Sequence, residues 1–298
     1  MKAHYPKQLM ASLVGVLVAT TGATAAVQLA GASAASAVTG LIKVNGTTSA
    51  IDSQPSKTVH ADCPTGTRVI GGGGWTNAVA SADAAKVALV ELQPVHPASG
   101  LDTYEVTAQS VTPNITTNWW VQAYAICASP VSGMHIVTQT SPIDTLAADS
   151  WCPTGEQPLG GGGKVNNPAN HVALVGVTPL STGGKITAEI RTDTPGYTGT
   201  WTVTSYAVCA PTPPGYQVVF ALSTGGPSDT TKVATITCPA GKRVHGAGAT
   251  VRSGAPTGLG LQVMYPFNAL DEVEASAVET TPTDVDWQPI VAVAICAN

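Results

Sequence analysis

Apolar and polar residues alternate along most of the chain, which is the pattern of half-buried β-strands. In the stretch WWVQAYAICA, one face carries Trp119, Val121, Ala123, Ala125 and Cys127, and the other carries Trp120, Gln122, Tyr124 and Ile126. Both faces are largely apolar, so this strand is expected inside its sheet, between two neighbours. Beyond the N-terminal segment, no helix-length run of apolar residues at helical spacing persists. The pattern therefore predicts an all-β protein.

About six strands are expected between residues 38 and 130, separated by turn residues. The expected strand ranges are 41–48, 57–63, 67–77, 86–93, 103–111 and 119–127.

Three internal repeats cover nearly all of the chain after its N-terminal segment. They contain the related stretches CPTGTRVIGGGG from Cys63, CPTGEQPLGGGG from Cys152 and CPAGKRVHGAGA from Cys238. Their closing strands read WWVQAYAICA, WTVTSYAVCA and WQPIVAVAICA, and the period is about 85 residues. The predicted repeats are residues 38–130, 131–212 and 213–298.

The glycine runs raise the question of a phosphate-binding loop, which needs glycines followed by Lys-Ser/Thr at the start of a helix. Gly66 and Gly71 have the required separation, but Gly72 occupies the lysine position. No helical pattern follows the glycines in any repeat. We therefore interpret them as structural, at bulges or where backbones approach closely.

Six cysteines, two in each repeat, indicate disulfides in an oxidising compartment. Two pairing schemes respect the repeat. The favoured scheme keeps each bond within one repeat, as Cys63–Cys127, Cys152–Cys209 and Cys238–Cys296. The other scheme links neighbouring repeats and joins Cys63 to Cys296. Since each repeat has its own cysteine pair, three tandem disulfide-stapled sandwiches or barrels are favoured, with a single pseudo-threefold β-prism as the alternative.

The N-terminal segment, residues 1–37, has the features of a secretion signal peptide. Lys2 and Lys7 precede a weakly apolar run, and Ala35-Ser36-Ala37 is the expected cleavage site. An uncleaved membrane anchor is the alternative, because the run is long enough to span a bilayer. Cleavage leaves 11 basic against 18 acidic residues and no basic stripe. This composition argues against nucleic acid or an anionic membrane surface as a partner.

The Cys-Pro-x-Gly start, the glycine run and the A-[YV]-A-[IV]-C-A ending resemble a repeat of uncharacterised secreted proteins from Gram-positive, high-GC bacteria. The resemblance covers all three repeats and implies no activity or catalytic residues. A fainter resemblance to the vitelline membrane outer layer protein family concerns shape only, because that family is a threefold β-prism. Here the cysteines stand much farther apart.

Residues that differ between repeats are the best candidates for function. Trp75, Trp119, Trp120 and Trp151 are the candidate ligand contacts, since exposed tryptophan beside polar residues suits sugars. The alternative is that these side chains fill the core. Five histidines have no histidine counterpart in the other repeats: His60, His96, His135, His171 and His245. They form no recognisable metal or catalytic motif. An acidic cluster from Asp271 to Glu279 is interpreted as a solvated edge strand.

These features together predict a non-catalytic, secreted or cell-surface protein without a cofactor or metal, which binds an extracellular glycan or protein. The reason for predicting no catalysis is that folding explains every recurrent marker. A self-associating coat or matrix protein and a secreted enzyme inhibitor are the alternatives.

Overall fold

The structure is a computed structural model that describes residues 37–79, 85–111, 116–180, 182, 184–224, 230–252, 256–281 and 287–298. The predicted signal peptide therefore lies outside the described residues, apart from Ala37. Within the described ranges, no helix is long and apolar enough to cross a membrane.

Eighteen strands are described, six in each repeat, and the all-β class is confirmed. Repeat 1 contains β1 (Ile42–Thr48), β2 (Ser56–Asp62), β3 (Arg68–Ala78), β4 (Val87–Val95), β5 (Thr103–Ser110) and β6 (Trp119–Ala128). Repeat 2 contains β7 (His135–Thr140), β8 (Ala147–Trp151), β9 (Glu156–Asn166), β10 (Val172–Leu180), β11 (Lys185–Thr192) and β12 (Thr202–Pro211). Repeat 3 contains β13 (Gln217–Leu222), β14 (Thr231–Thr237), β15 (Arg243–Val251), β16 (Leu259–Pro266), β17 (Glu272–Glu279) and β18 (Ile290–Ala297). The predicted strands of repeat 1 agree within two residues.

The strands form three six-stranded sheets, and each sheet combines two repeats. Sheet A has the order β1-β6-β3-β16-β17-β14, sheet B has β2-β5-β4-β9-β12-β7, and sheet C has β13-β18-β15-β10-β11-β8. Every sheet takes the first, sixth and third strands of one repeat and the fourth, fifth and second strands of another. The closing strands β6, β12 and β18 each lie between two neighbours, as their apolar faces predict.

The repeats join through pairs of strands in the middle of each sheet. The joining pairs of residues are Gly74 with Met264, Gly163 with Leu92, and Ala249 with Val177. Because no sheet belongs to one repeat, the favoured arrangement of self-contained tandem sandwiches is wrong. The cyclic sharing of strands corresponds to the pseudo-threefold alternative. The described residues, from Ala37 to Asn298, accordingly form one compact unit.

The disulfides are Cys63–Cys127, Cys152–Cys209 and Cys238–Cys296, so the favoured pairing within repeats is confirmed. The first cysteine of each pair directly follows a strand of one sheet, and the second lies in a strand of another sheet. The three bonds therefore tie sheet B to A, C to B and A to C. Each closes a loop of about 60 residues, which in the chain-entropy account stabilises the fold by about 4 kcal/mol.

The first glycine of each run lies where the three repeats meet. Gly71, Gly160 and Gly246 approach one another in a ring, and a methyl group on any of them would contact the backbone of another repeat. A Cβ on Gly160, for example, would lie 2.8 Å from the Gly71 Cα and overlap the Ile70 carbonyl oxygen. Glycine is needed here because the backbones of two repeats approach closely. The prediction that the glycines have a structural role is therefore confirmed at these positions.

The third glycine of each run lies beneath the joint between repeats. A Cβ on Gly73 would overlap the carbonyl oxygen of Met264, and one on Gly162 would overlap that of Leu92. In repeat 3, a Cβ on Gly248 would lie 2.9 Å from the Val177 carbonyl oxygen. These positions lack side chains because a strand of another repeat passes directly across them.

Candidate functional site: an aromatic outer face on sheet A

The three sheets present equivalent outer faces, and their side chains differ sharply. The glycine run, the closing cysteine and the strand register define the equivalent positions of the three repeats. Sheet A carries Trp75, Trp120, Tyr124, Tyr265 and Lys43. Sheet B carries Lys164, Thr202, Tyr206, Gln93 and Ile136, and sheet C carries Thr250, Val293, Thr178 and Val218 at matching positions. The same set of surface positions therefore occurs on each of the three sheets, and aromatic side chains are concentrated at those of sheet A.

Five aromatic rings on sheet A form a continuous group, called here the aromatic face. The Trp75 ring lies 5.8 Å from Trp120 and 5.7 Å from Tyr265, measured between ring centroids. Tyr265 in turn lies 4.7 Å from Tyr124 and 5.1 Å from Phe267. Four of the rings are partly exposed, whereas Tyr124 is nearly buried. The tilted and edge-on contacts hold the rings in fixed orientations.

Glycine and strand sharing together create the contact between the two tyrosines. Gly73 pairs with Tyr124 of β6 on one side, and the β16 register places Tyr265 beside it on the other. With no side chain on Gly73, the two tyrosine rings meet above β3. The aromatic face therefore spans repeats 1 and 3 and requires the joint between them.

Charged groups flank the aromatic face at both sides. The Lys43 Nζ lies 4.5 Å from the Tyr124 ring centroid and 3.9 Å from that of Tyr265, and it donates a hydrogen bond to Asn268. Burial lowers the pKa of Lys43 to about 8, so the ammonium form still predominates at neutral pH. Cation–π contact with two rings favours this charged form.

On the other side of the aromatic face, Glu274 pairs with Tyr265 across the β16–β17 ladder. Burial, and then the charge of Glu272, raise the pKa of Glu274. The acidic cluster of the sequence thus borders the aromatic face. Its interpretation as an edge strand is wrong, because β17 lies between β16 and β14.

Two of the four candidate tryptophans, Trp75 and Trp120, lie together in the aromatic face. Trp119 does not: its side chain is fully buried, its indole N–H donates to the Gln54 carbonyl oxygen, and the Lys57 ammonium lies 4.4 Å from its ring. The expectation that Trp119 contacts a ligand is therefore wrong. Trp201 and Trp287 are buried at the corresponding ends of β12 and β18, which marks this position as structural.

Trp151 is 52% exposed and lies on a different sheet from the other candidates, at the end of the edge strand β8 of sheet C. Its ring contacts the Lys185 ammonium at 4.6 Å. Among the described residues, no aromatic ring contacts Trp151, so it lies outside the aromatic face.

The histidines do not converge on one site. His96 lies 3.1 Å from Asp102, and His171 lies 2.8 Å from Asp193 on another sheet. Asp102 also accepts the backbone N–H of Val69, so this pair anchors the start of β3. The grouping with metal-ligand spacing among the described residues is His135, Glu156 and Cys209. Cys209 is committed to its disulfide and offers no thiolate.

His245 lies beside the ring of glycines, where the equivalent residues are Ile70 and Leu159. It is 1% exposed, its Nδ1 donates to the Arg243 carbonyl oxygen, and its Nε2 has no partner among the described residues. Burial lowers the pKa of His245, and the Arg243 charge acts in the same direction. A neutral histidine thus replaces an apolar residue at the centre of the fold.

Replacing His245 with leucine, the residue of repeat 2, is expected to stabilise the protein by about 1–3 kcal/mol, because it removes a buried unpaired nitrogen. The lowered pKa of His245 also predicts how the stability of the parent protein depends on pH. Below about pH 6.5, His245 binds a proton more readily in the unfolded chain than in the folded protein. The free energy of unfolding therefore falls as the pH falls. Urea unfolding between about pH 7 and pH 5 should show a shallower loss for His245→Leu.

The matched control for this prediction is His60→Gln, because the His60 side chain is 54% exposed. It should retain the pH dependence of the parent protein. Burial also lowers the pKa of His96, so some acid sensitivity should remain in His245→Leu. An unchanged slope in His245→Leu would contradict the assignment of the acid sensitivity to this residue.

Sequence reasoning missed Tyr124, Tyr265, Phe267 and Lys43 as parts of the aromatic face. The alternation of β6 does place Trp120 and Tyr124 on one side, and that side faces outward. Tyr265 could not be added from the pattern, because only the joint between repeats 1 and 3 brings β16 beside β3.

Compared with known proteins, the chain matches no protein-family model, and no curated protein has a significantly similar sequence.

Proposed function

We propose that the protein is a secreted, non-catalytic binding protein that holds a glycan chain on the aromatic face of sheet A. The observation that carries the proposal is the confinement of connected, partly exposed rings to one of three equivalent faces. The other two faces have Lys164 or Thr250 in place of Trp75, and Gln93 or Thr178 in place of Tyr265. Since the same fold is built without these rings elsewhere, folding does not explain them.

The chemistry of the aromatic face suits pyranose sugars. The apolar C–H face of a sugar ring stacks on an aromatic ring, while its hydroxyl groups need hydrogen-bonding partners at the margin. Trp120, Trp75 and Tyr265 supply the rings in sequence along the face. Gln122, Lys43 and Glu274 supply amide, ammonium and carboxylate groups around them. This arrangement fits several consecutive sugar units better than one.

The disulfides and the N-terminal segment both support a location outside the cytoplasm, where a glycan-binding protein would meet its ligand. Three disulfides are typical of a protein that folds in an oxidising environment outside the cytoplasm. The signal-like residues 1–37 support export by the secretory route, after which the protein would meet cell-wall or environmental glycans.

The test begins with a glycan array and a cell-wall pull-down using residues 38–298, followed by titration calorimetry on the retained glycan. Trp75→Thr and Trp120→Thr each place the residue of another repeat at the equivalent position, so they should fold. Each is expected to weaken binding at least about tenfold, since exposed aromatic anchors dominate such contacts.

Trp151→Ala is the matched control, because it removes another exposed tryptophan away from the aromatic face. It should leave the affinity unchanged. Retention of no glycan by the folded protein would contradict the proposal, and so would equal losses in all three variants. Selective retention of a protein would identify the aromatic face as a protein-binding surface instead.

A further inference from the structure

The edge strand β13 differs from the equivalent edge strands of the other repeats. It has the sequence QVVFAL without a charged residue. Phe220 is 65% exposed and Leu222 is 41% exposed, on the face that also carries Val218. The equivalent positions are Lys43, Asn45 and Thr48 in β1, and Ile136, Thr138 and Thr140 in β7. Edge strands normally carry charged or polar residues that discourage pairing with other chains, and in β13 only Gln217, its first residue, is polar.

The open backbone groups of β13 belong to the same residues as its exposed side chains. Just beyond β13, Ser223 donates a backbone hydrogen bond to the Ile290 carbonyl oxygen at 2.8 Å. In an antiparallel ladder these bonds recur at every second residue, so residues 217, 219 and 221 face β18. The backbone groups of Val218, Phe220 and Leu222 therefore point toward the open edge. Among the described strands, none pairs with β13 on that side.

A groove of about 350 Å³ runs along this edge on the outer face of sheet C. Its apolar wall includes Val218, Phe220, Leu222, Val291 and Val293. The groove occupies the position that the aromatic face occupies on sheet A. Its lining contains one aromatic ring, Phe220, and one charged side chain, Arg252, and it lacks the connected group of rings found on sheet A. The groove continues directly into the open strand.

We propose that the edge of β13 pairs with β13 of a second copy of the chain, antiparallel about a two-fold axis through Phe220. This register sets Phe220 opposite its own copy and Val218 opposite Leu222 on both sides of the axis. Every outward backbone N–H then meets a carbonyl oxygen, and every facing side chain is apolar. No charge opposes a like charge within the pair, although the exported chain as a whole is acidic.

The interface is short, so the dimer is a reversible one that forms at high protein concentration. Two copies joined in this way carry two aromatic faces. A surface displaying many glycan chains would then be held by two contacts that reinforce each other. The dimer is independent of the glycan proposal, because the aromatic face lies on sheet A and β13 on sheet C.

The test is sedimentation velocity over a concentration series, with residues 38–298 and the variant Phe220→Thr/Leu222→Thr. The variant copies the threonines Thr138 and Thr140 of β7. The parent chain should show a concentration-dependent dimer, and the variant should raise the dissociation constant at least tenfold. Unchanged thermal unfolding of the variant would show that it is folded.

A cysteine probe tests the register. Directly opposed residues in a hydrogen-bonded antiparallel pair have Cα atoms about 5.5 Å apart, a distance that a disulfide can bridge. Phe220→Cys should therefore form a covalent dimer under mild oxidation. Thr138→Cys, at the equivalent position of β7, should remain monomeric. A parent chain that is monomeric at every concentration, or equal cross-linking of both cysteine variants, would overturn the proposal.

Discussion

Removing repeat 3 is expected to abolish folding, although both remaining repeats keep their own cysteine pair. The truncated chain, residues 38–212, would lose β14, β16 and β17 from sheet A and β13, β15 and β18 from sheet C. Half of sheet A and half of sheet C would be missing, whereas sheet B would keep its six strands. The apolar strands left behind would expose their edges and inner faces to water. Circular dichroism during heating should show no cooperative transition, and a hydrophobic dye should bind strongly.

A circular permutant provides the matched control. Residues 131–298, a copy of the join ASPVSG and residues 38–130 contain all three repeats in the order 2-3-1. Because the strand order is cyclic, this chain should rebuild all three sheets and unfold cooperatively close to the parent temperature. Cooperative unfolding of residues 38–212 alone would show that the repeats are independent after all.

Gly160→Ala is expected to destabilise the protein by at least about 3 kcal/mol, the upper part of the range for overpacked cores. The new methyl group would overlap the Ile70 carbonyl oxygen and contact the Gly71 Cα of another repeat. Both atoms belong to backbone in the middle of a sheet, so neither can move without disturbing the joint. Urea unfolding measures the loss.

Gly163→Ala, three residues later in the same run, is the comparison. The nearest atoms to its Cβ are side-chain atoms of Ala188, Val177 and Leu174. Repeat 3 already has Ala249 at this position, and Gly163→Ala should cost clearly less than Gly160→Ala. Equal costs would mean that lost backbone freedom, and not the approach of the repeats, sets the need for glycine.

Local features of the fold could be predicted because they are encoded within single strands. Alternation placed the six strands of repeat 1, and the two cysteines of each repeat identified the disulfides. The sharing of sheets could not be predicted, because the pairing of Gly74 with Met264 joins residues of the first and last repeats. Nothing in the alternation of β3 distinguishes β16 from β4 as its neighbour, since both strands have the same pattern.

The candidate site could be predicted only in part, because it too depends on the pairing of strands from different repeats. Trp75 stood out because the other repeats have no tryptophan there, and Trp120 stood out because adjacent Trp119 must point to the opposite face of β6. Trp75 and Trp120 lie in contact. Trp119 also stood out, but Trp201 and Trp287 recur near its position, and such recurrence indicates a structural role. The comparison of repeats was therefore the informative signal, and it becomes reliable only after the strands are aligned in register.

The joint between β3 and β16 also constrains how the protein reaches its final state. A polypeptide is synthesised from its N-terminus, so repeat 1 emerges well before its neighbour β16 in sheet A is available. Until then, the free side of β3 is an unprotected edge, and long-range pairing of this kind is slow. Repeat 3 therefore completes sheets A and C, and the newly synthesised chain is most prone to aggregation before the strands of repeat 3 have paired.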